Sequence, residues 1–433
     1  MAQVRPPFAA PTHQDGGRDI PDDATHTVTF QHPGYRDEHN IIMVLPALDD
    51  AQGGIHHETA LTACAIVAGN RWDGFLREQG TGSRVTTPRD GILKGKDYFF
   101  CLSGDAKERY PLVPIFAHWR FPHGDLLSSW SQLRVPNMPP SRALPRQGSL
   151  TDALLARDIS CRLTATVEGT EHAHLVPRTE VDWFRRNTMF RYGIAPRPEI
   201  EPVDVPRNAL LLRSDIHTIF DQRRFAITLK PLPVASDSAA THGLAVHLFS
   251  PGLSEQFAKL YHGVALQPLY GVAPEYLFAR FAWTVFAYSA QFLEQGTKRV
   301  LYIVHDGETS VQEVNADQCM QLYLSCKSRS LSLSKRKRNN GGSVQEGECD
   351  AGGQEDEGED EGRYRGRARL RSSSCLAASE STAFQALLAV TDTTSTDTHE
   401  LDAPSSADPR AAPYAGARND LPVREPMGCD LPT

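Results

Sequence analysis

A hydrophobic strand followed at once by a short amphipathic helix, in NALLLRSDIHTIFDQRRFAI at residues 208–227, constrains the fold of this chain most strongly. Ile216, Ile219 and Phe220 recur at helical spacing and predict the buried side of the helix. The segment therefore predicts a strand that runs directly into a helix lying on a hydrophobic core.

The same helix carries two polar side chains of chemical interest. Residues four apart lie one above the other on a helix, so His217 and Asp221 share a side. Ser214 or Asp215 is predicted to cap the helix, because either can accept from the free N–H groups of the first turn. The pair could bind a metal ion, or it could be an ordinary solvated pair on an amphipathic helix.

Charge and composition limit how much of the chain forms a core. The net charge is −8, with 45 Lys and Arg against 53 Asp and Glu, so any site for a polyanion must be local. Residues 1–25 are polar and are predicted to be a disordered leader. Residues 325–433 contain alternating basic and acidic blocks and are predicted to be a disordered tail.

One basic cluster stands out in that predicted tail. It resembles a nuclear import signal or a phosphate-binding arm, while a solvated charged tail is the alternative interpretation. Its residues are Lys335, Arg336, Lys337 and Arg338. If the cluster is an import signal, the protein is expected in the nucleus rather than in the cytoplasm.

Cysteine usage and hydropathy indicate an intracellular protein that is not embedded in a membrane. The eight cysteines form no CxxC pair, which argues against a zinc knuckle or a dense disulfide framework. The N-terminus lacks the apolar region of a secretory signal. The longest apolar stretch carries Arg280 at its centre and is predicted to be a buried helix.

Residues 26–135 are predicted to form a mixed α/β region. TVTFQH and NIIMVLPAL indicate strands, and TALTACAIVAG indicates a helix that ends at Gly69. KDYFFCLSG and YPLVPIFAHWRFPHG are also strand-like. His56, His57 and Glu58 are interpreted as structural, because the HExxH pattern of a zinc enzyme is not completed.

Three further regions follow. Residues 136–148 form a Pro-rich linker, and residues 149–232 begin with a helix in which Ser149 is the predicted N-cap and Leu150, Leu154 and Leu155 share a face. Residues 233–324 are predicted to be a helical extension packing on the preceding domain. Its long helix runs from Pro274 to Gly296, with an aromatic stripe that we assign to the core.

Upstream of residue 208, the segment EHAHLVP alternates as a strand does. His172 and His174 then lie on one face, and Glu171 and Ala173 lie on the other. Pro177 ends the strand. A strand-borne His therefore precedes an Asn and a helical His in the chain.

This order resembles the HNH endonuclease superfamily, and within it the HNH_2-type domain found in many fungal proteins. The resemblance rests on ARDISCRLTAT, AHLVPR, the Trp183–Phe184 step and NALLLRSDIHTIFDQRRFAI, and it covers about residues 150–232. It implies an α+β protein with a ββα-metal nuclease domain, in which two strands and a helix surround one divalent cation.

The resemblance also implies roles for individual residues. His174 matches the general base that takes a proton from water, and Asn208 matches the residue that orients this base. His217 and Asp221 match ligands of the cation, for which Mg²⁺ or Mn²⁺ is expected and Zn²⁺ or Ni²⁺ is compatible. Ala173 stands where many family members have another ligand. His172 is one possible replacement, and an ordinary surface His is the other interpretation.

The expected partner is nucleic acid, with DNA preferred over RNA. Arginines near the motif are predicted to contact phosphates, and a solvated surface charge is the alternative for each. They are Arg178, Arg213, Arg223 and Arg224. The expected activity is metal-dependent phosphodiester hydrolysis. The alternative is an inactive HNH fold that binds nucleic acid or serves as a scaffold, which Ala173 favours.

Overall fold

The structure is a computed structural model, and it describes seven stretches of the chain. They are residues 27–78, 82–104, 109–137, 149–193, 201–231, 242–250 and 256–332. The predicted leader, most of the predicted linker and the basic cluster Lys335–Arg338 lie outside the described residues. Helices and sheets are mixed along the chain, so the predicted α+β class is confirmed.

The N-terminal part contains a four-stranded sheet and a small two-stranded sheet. The strands are β1 (Thr27–Gln31), β2 (Ile41–Pro46), β3 (Ile55–His56), β4 (Phe75–Arg77), β5 (Ile92–Leu93) and β6 (Asp97–Cys101). The larger sheet has the order β2-β1-β6-β4, with β1 and β6 parallel and the other pairs antiparallel. The smaller sheet pairs β3 with β5. The strands predicted in TVTFQH, NIIMVLPAL and KDYFFCLSG are therefore confirmed.

The predicted N-terminal helix is present, but it begins earlier than expected. Helix α1 (His57–Val67) is buried on every side and starts with His57 and Glu58. Gly69 follows its end with φ +77°, a conformation that glycine adopts without strain.

The strand prediction for YPLVPIFAHWRFPHG is wrong. The segment forms a 3₁₀ turn at Phe116–His118, and helix α2 (Ser128–Gln132) comes after it. The prolines at 111, 114 and 122 lack the N–H that a strand ladder needs.

The central part forms a two-stranded sheet with helices on it. Its elements are α3 (Leu150–Asp158), β7 (Thr170–His174), α4 (Val181–Arg186), β8 (Ala209–Arg213) and α5 (Ser214–Asp221). Strands β7 and β8 are antiparallel, and His174 is opposite Ala209 in the register. Helix α5 follows β8 without an intervening loop and packs on both strands.

Two details of these helices differ from the predictions. Ser149 caps α3 in a capping box with Asp152, as expected, but Leu155 is 42% exposed and does not join the buried face. Arg213 rather than Ser214 or Asp215 occupies the N-cap position of α5, although Asp215 Oδ1 accepts from the Ile216 N–H of the first turn at 2.8 Å, as predicted. Ser214 is the first helical residue.

The C-terminal part contains strands as well as helices, so the helical extension predicted at residues 233–324 is helical only in part. The elements are β9 (Phe225–Pro231), β10 (His242–Leu248), α6 (Gln256–Tyr261), α7 (Pro274–Ser289), α8 (Gln291–Glu294), β11 (Arg299–His305), β12 (Glu308–Val314) and α9 (Ala316–Ser332). Strand β9 pairs with β10, so the predicted boundary at residue 232 divides a hairpin. Helix α9 extends seven residues past residue 325, where the tail was predicted to begin.

Helix α7 is the centre of the packing. It contacts α1, β2 and β9, and residues 276–286 are all buried. The predicted aromatic stripe therefore lies in the core, although the helix ends at Ser289 and α8 follows after a break. None of the described helices is long and apolar enough to cross a membrane.

The N-terminal and central parts share aromatic packing. Trp119 and Trp183 stack with ring centroids 5.6 Å apart, and Trp183 Nε1 donates to the Trp119 carbonyl at 2.7 Å. Both side chains are buried. The predicted domain borders therefore cross a continuous core, and their positions stay predictions.

Candidate active site

Strands β7 and β8 and helix α5 bring the residues singled out in the sequence into one neighbourhood. His174 ends β7, Asn208 directly precedes β8, and His217 and Asp221 lie on α5. The side chains of His174 and His217 are each 12% exposed, so both are partly shielded but still reachable from solvent.

Helix α3 fixes the outer edge of β8. The Asp158 carboxylate accepts from the Leu211 backbone N–H at 2.9 Å and forms a buried ion pair with Arg157 at 2.7 Å. Arg157 also donates to the carbonyl of Ala209 at 2.7 Å. These bonds satisfy backbone groups that would otherwise be unpaired at a strand edge. The ARDISC part of the motif therefore supports the strand that leads into α5.

His174 is bonded to an acidic residue that the sequence analysis did not select. Its Nε2 lies 2.9 Å from Asp204 Oδ1, and the exposed Arg178 binds the same carboxylate through both of its oxygens. An ionised carboxylate only accepts hydrogen bonds, so Nε2 carries the proton. The Nδ1 atom of His174 is left with the lone pair.

The charge of Asp204 is stabilised by these two partners. Burial alone would raise the pKa of the Asp204 carboxyl, but hydrogen bonds from His174 and Arg178 outweigh burial and lower the pKa to about 2. The Asp204 carboxylate in turn raises the pKa of Arg178. Asp204 is therefore ionised at neutral pH and holds the imidazole in one tautomer.

Asn208 joins the two loops on either side of His174. Its Oδ1 accepts from the Val176 N–H at 2.9 Å, and its Nδ2 donates to the carbonyls of Val176 at 2.9 Å and Val203 at 2.8 Å. Val203 precedes Asp204, and Val176 follows the end of β7. The fully buried amide therefore fixes the backbone next to His174 and next to its carboxylate partner.

His217 lies between two carboxylates. Its Nδ1 is 3.1 Å from Glu171 Oε2 on β7, and its Nε2 is 3.3 Å from Asp221 Oδ2 one helical turn further on. If Glu171 accepts from the Nδ1–H, the Nε2 lone pair faces the same side as Asp221. The arrangement offers one nitrogen and one carboxylate oxygen to a cation.

His172 is in the same neighbourhood but has another partner. Its Nδ1 is 2.8 Å from the Thr151 hydroxyl on α3, and its ring centroid is 5.4 Å from that of His174. Burial lowers the pKa of His172, and the charges of His174, His217 and Arg178 lower it further. His172 therefore favours a neutral imidazole held by α3.

A buried arginine on α7 connects the end of β7 to helix α5. Arg280 on α7 donates to the carbonyls of His174 and Leu175, at 3.3 and 3.4 Å, and to the Phe220 carbonyl on α5. Its guanidinium also lies 3.4 Å from the centroid of the Phe220 ring. Burial lowers the pKa of Arg280 to about 9. This residue fixes the backbone of β7 relative to α5.

The four arginines predicted to bind phosphate differ in position. Arg178 has a side chain that is 66% exposed beside His174, and the side chain of Arg213 is 34% exposed and paired with Asp215. Arg224 is partly buried. Arg223 is 6% exposed, and its guanidinium lies 4.8 Å from the centroid of the Trp283 ring. The phosphate contact predicted for Arg223 is therefore wrong.

Asp204 and Glu171 are the functional candidates that the sequence analysis missed. Glu171 shares a strand face with Ala173, so the alternation of β7 already placed this carboxylate on the same side as the position where a ligand was expected. Asp204 lies in a Pro-flanked loop 30 residues from His174. Local spacing carries no signal for such a contact.

A tighter cluster of potential metal ligands lies elsewhere. Within the described stretches, the one group of three His, Cys, Asp or Glu residues with ligand atoms all within 4.8 Å of one another is Asp49, His247 and His262. None of these residues had been selected from the sequence. The cluster does not include His217 or Asp221.

Comparison with known families agrees with the resemblance seen in the sequence. The model of the HNH_2 family, described as HNH endonuclease, matches residues 159–228. This segment contains β7, β8 and α5, together with His174, Asp204, Asn208, His217 and Asp221. The chain thus carries an HNH endonuclease-type domain, which suggests a nuclease-type function and nucleic acid as a partner. Searches of curated proteins and of solved structures found no match.

Proposed function

We propose that this protein is a metal-dependent endonuclease that hydrolyses phosphodiester bonds of DNA, with RNA as the second candidate substrate. The observation that carries the proposal is the hydrogen-bonded pair His174–Asp204 at the end of β7, the strand whose Glu171 contacts His217 on α5, inside the family-matched segment. Two antiparallel strands followed by a helix are also what a ββα-metal domain requires.

The residues around His217 fit a divalent cation. His217 Nε2 and Asp221 would hold the ion, and Glu171 would accept from Nδ1–H and so keep Nε2 unprotonated. Two protein ligands leave positions for water and phosphate oxygens, which suits Mg²⁺ or Mn²⁺; Zn²⁺ or Ni²⁺ also accept this donor set. When bound, the cation would stabilise the negative charge that develops on the phosphate oxygens.

His174 would act as the general base. Its Nε2–H donates to Asp204, so Nδ1 can accept a proton from the attacking water. The Asp204 carboxylate then stabilises the imidazolium that forms, and Arg178 keeps that carboxylate ionised. Asn208 holds the two loops that follow His174 and precede Asp204, so the base and the carboxylate would keep their relative positions during the reaction.

Arg178 and Arg213 are the arginines best placed to contact the nucleic-acid backbone. Both are accessible, and each keeps guanidinium N–H groups beyond those that bind Asp204 or Asp215. Such contacts position the substrate without reading its sequence.

One observation favours the alternative of an inactive HNH fold that binds nucleic acid or serves as a scaffold. Ala173 is fully buried and supplies no ligand where many relatives have one. Under this alternative, the contacts of His174, Asp204 and Asn208 would stabilise the fold, and the protein would not hydrolyse phosphodiester bonds.

A plasmid-nicking assay on the full chain separates these functions. Supercoiled DNA is incubated with Mg²⁺ or Mn²⁺, with and without chelator, and labelled RNA is tested in parallel. We expect metal-dependent nicking that falls about 10²–10⁴-fold in His174→Ala, the usual contribution of a general base. His242→Ala is the matched control, because His242 lies on β10 outside the site. Cleavage that survives His174→Ala, or no cleavage with any metal, contradicts the proposal.

Nuclear import through Lys335, Arg336, Lys337 and Arg338 also stays a proposal. It rests on the basic cluster in the sequence. Replacing all four residues by Ala in a fluorescent fusion should shift the protein from the nucleus to the cytoplasm.

A further inference from the structure

The Asp49 cluster gathers polar side chains from distant parts of the chain at a buried place. Asp49 follows β2, His247 lies on β10, and His262 follows α6. His262 Nε2 is 2.8 Å from Asp49 Oδ1, and His247 Nδ1 is 3.7 Å from Asp49 Oδ2. These side chains are 7%, 0% and 6% exposed for His262, His247 and Asp49.

His247 lacks the partners that a buried imidazole needs. Neither of its ring nitrogens has a hydrogen-bond partner, although the side chain is fully buried. An unsatisfied buried polar group costs about 1–3 kcal/mol, and native proteins rarely keep one without a reason. The Nδ1 atom is directed toward the Asp49 carboxylate at a distance too long for a hydrogen bond, which leaves room for an ion bound by both.

The backbone holds His247 and His262 together. Val246 donates to the Val264 carbonyl at 3.0 Å, and Gly263 donates to the Val246 carbonyl at 2.9 Å. The segment after α6 therefore runs along β10 and keeps the two rings 5.3 Å apart. The two rings are therefore held close together by the backbone. His262 Nε2 would have to release its proton to bind an ion, because His262 Nδ1 accepts from the Leu248 N–H at 3.2 Å.

A cation already lies at the cluster. The Lys230 ammonium on β9 is hydrogen-bonded to Asp49 Oδ1 and lies 3.4 Å from His262 Nε2. The site therefore attracts positive charge, and Lys230 supplies the cation that lies there in this structure.

We propose that Asp49, His247 and His262 form a zinc site separate from the nuclease-like segment, and that Lys230 fills the place of the ion when zinc is absent. Two imidazole nitrogens and one carboxylate oxygen are a donor set that Zn²⁺ prefers. Zinc binding would join β10 to the segments after β2 and α6 and leave a fourth position for water. None of the three ligands lies in the family-matched segment at residues 159–228.

The first test measures zinc stoichiometry in the full chain, carried out in a His217→Ala background so that the proposed nuclease site does not contribute. The protein is stripped with chelator and titrated with Zn²⁺ by isothermal titration calorimetry, and bound metal is counted by mass spectrometry. We expect one zinc per chain. Adding His247→Ala should weaken binding about 100-fold or more, because a direct ligand is lost, whereas adding His242→Ala on the same strand should not change it.

A second variant keeps the proposal testable if His247→Ala fails to fold. Lys230→Met removes the competing cation while keeping the length of the side chain. We expect the stripped variant to melt at a lower temperature, because Asp49 loses its partner, and Zn²⁺ to restore the melting temperature. Zinc should also bind this variant about tenfold or more tightly than the lysine-containing protein.

An ion-pair network that needs no metal predicts other results. In that case the stripped protein binds no stoichiometric zinc, and Zn²⁺ leaves the melting temperature of Lys230→Met unchanged. Either result overturns the proposal.

Discussion

At the scale of single residues, the site depends on how carboxylates hold imidazole rings. Asp204 accepts from His174 Nε2, and Glu171 faces His217 Nδ1. The Nδ1 atom of His174 could then accept a proton, whereas His217 Nε2 faces the Asp221 carboxylate and could bind a cation together with it. The two histidines could therefore perform different tasks with the same side chain.

Asp204 should contribute to stability only above acidic pH. Its pKa is about 2 in the folded protein, below the ordinary value of 3.8. The stabilisation is therefore fully present above pH 4 or so, and it is lost as the pH falls through the folded pKa near 2. We expect Asp204→Asn to be less stable than the native chain at pH 6, with a difference that shrinks as the pH is lowered. Urea unfolding at several pH values measures this, and a difference independent of pH contradicts it.

Glu171 should control metal affinity without being essential for folding. Loss of the carboxylate that holds a metal-binding His typically weakens metal binding about 10–100-fold. We expect Glu171→Gln to require a correspondingly higher Mg²⁺ or Mn²⁺ concentration for half-maximal nicking. The exposed Glu168, before β7, supplies the control Glu168→Gln, which should behave like the native protein. If both variants need the same metal concentration for half-maximal nicking, Glu171 does not contribute to metal binding.

At the scale of elements, α3, β8 and α5 form one supported unit. The Ser149 cap, the strand at β7 and the start of α5 near Ser214 follow from residues a few positions apart, and the sequence predicted them. Two details differ from the predictions, because Leu155 is exposed and Arg213 takes the N-cap position of α5.

The Asp158 contacts that join α3 to β8 should contribute more to the free energy of unfolding than the N-terminal cap of α3 does. Asp158→Ala leaves the buried Arg157 cation without its partner and the Leu211 N–H without its acceptor. Breaking a buried pair in this way costs about 3–5 kcal/mol. Asp152→Ala, on the exposed first turn of the same helix, should cost clearly less. Chemical denaturation of both variants measures the difference, and comparable losses would show that the buried pair does not brace the strand.

At the scale of the whole molecule, the nuclease-like segment is built into a larger core. Trp183 stacks on Trp119, β9 pairs with β10, and Arg280 on α7 holds the backbone of both β7 and α5. The segment matched by the family therefore shares its hydrophobic core with residues on both sides of it.

A fragment of residues 149–232 should not fold by itself. It would expose Trp183 and leave β9 without its partner strand, so its core would be too small to offset the entropy of ordering the chain. We expect the fragment to lack a cooperative thermal transition by circular dichroism, while a protein of residues 27–332 retains one. A fragment that melts cooperatively would show that the segment is an independent domain.

The sequence by itself determined the strand–helix step of His217 and Asp221 and the burial of α7, because periodicity and helix spacing act over a few residues. The α+β class came from the family resemblance of the motifs. Only the tertiary structure decided that Asp204 meets His174, that Arg223 is buried, and that Asp49 meets His262 from 213 residues away. Such contacts depend on how separate elements pack, and the residues that neighbour Asp204 and Asp49 in the chain do not indicate their partners.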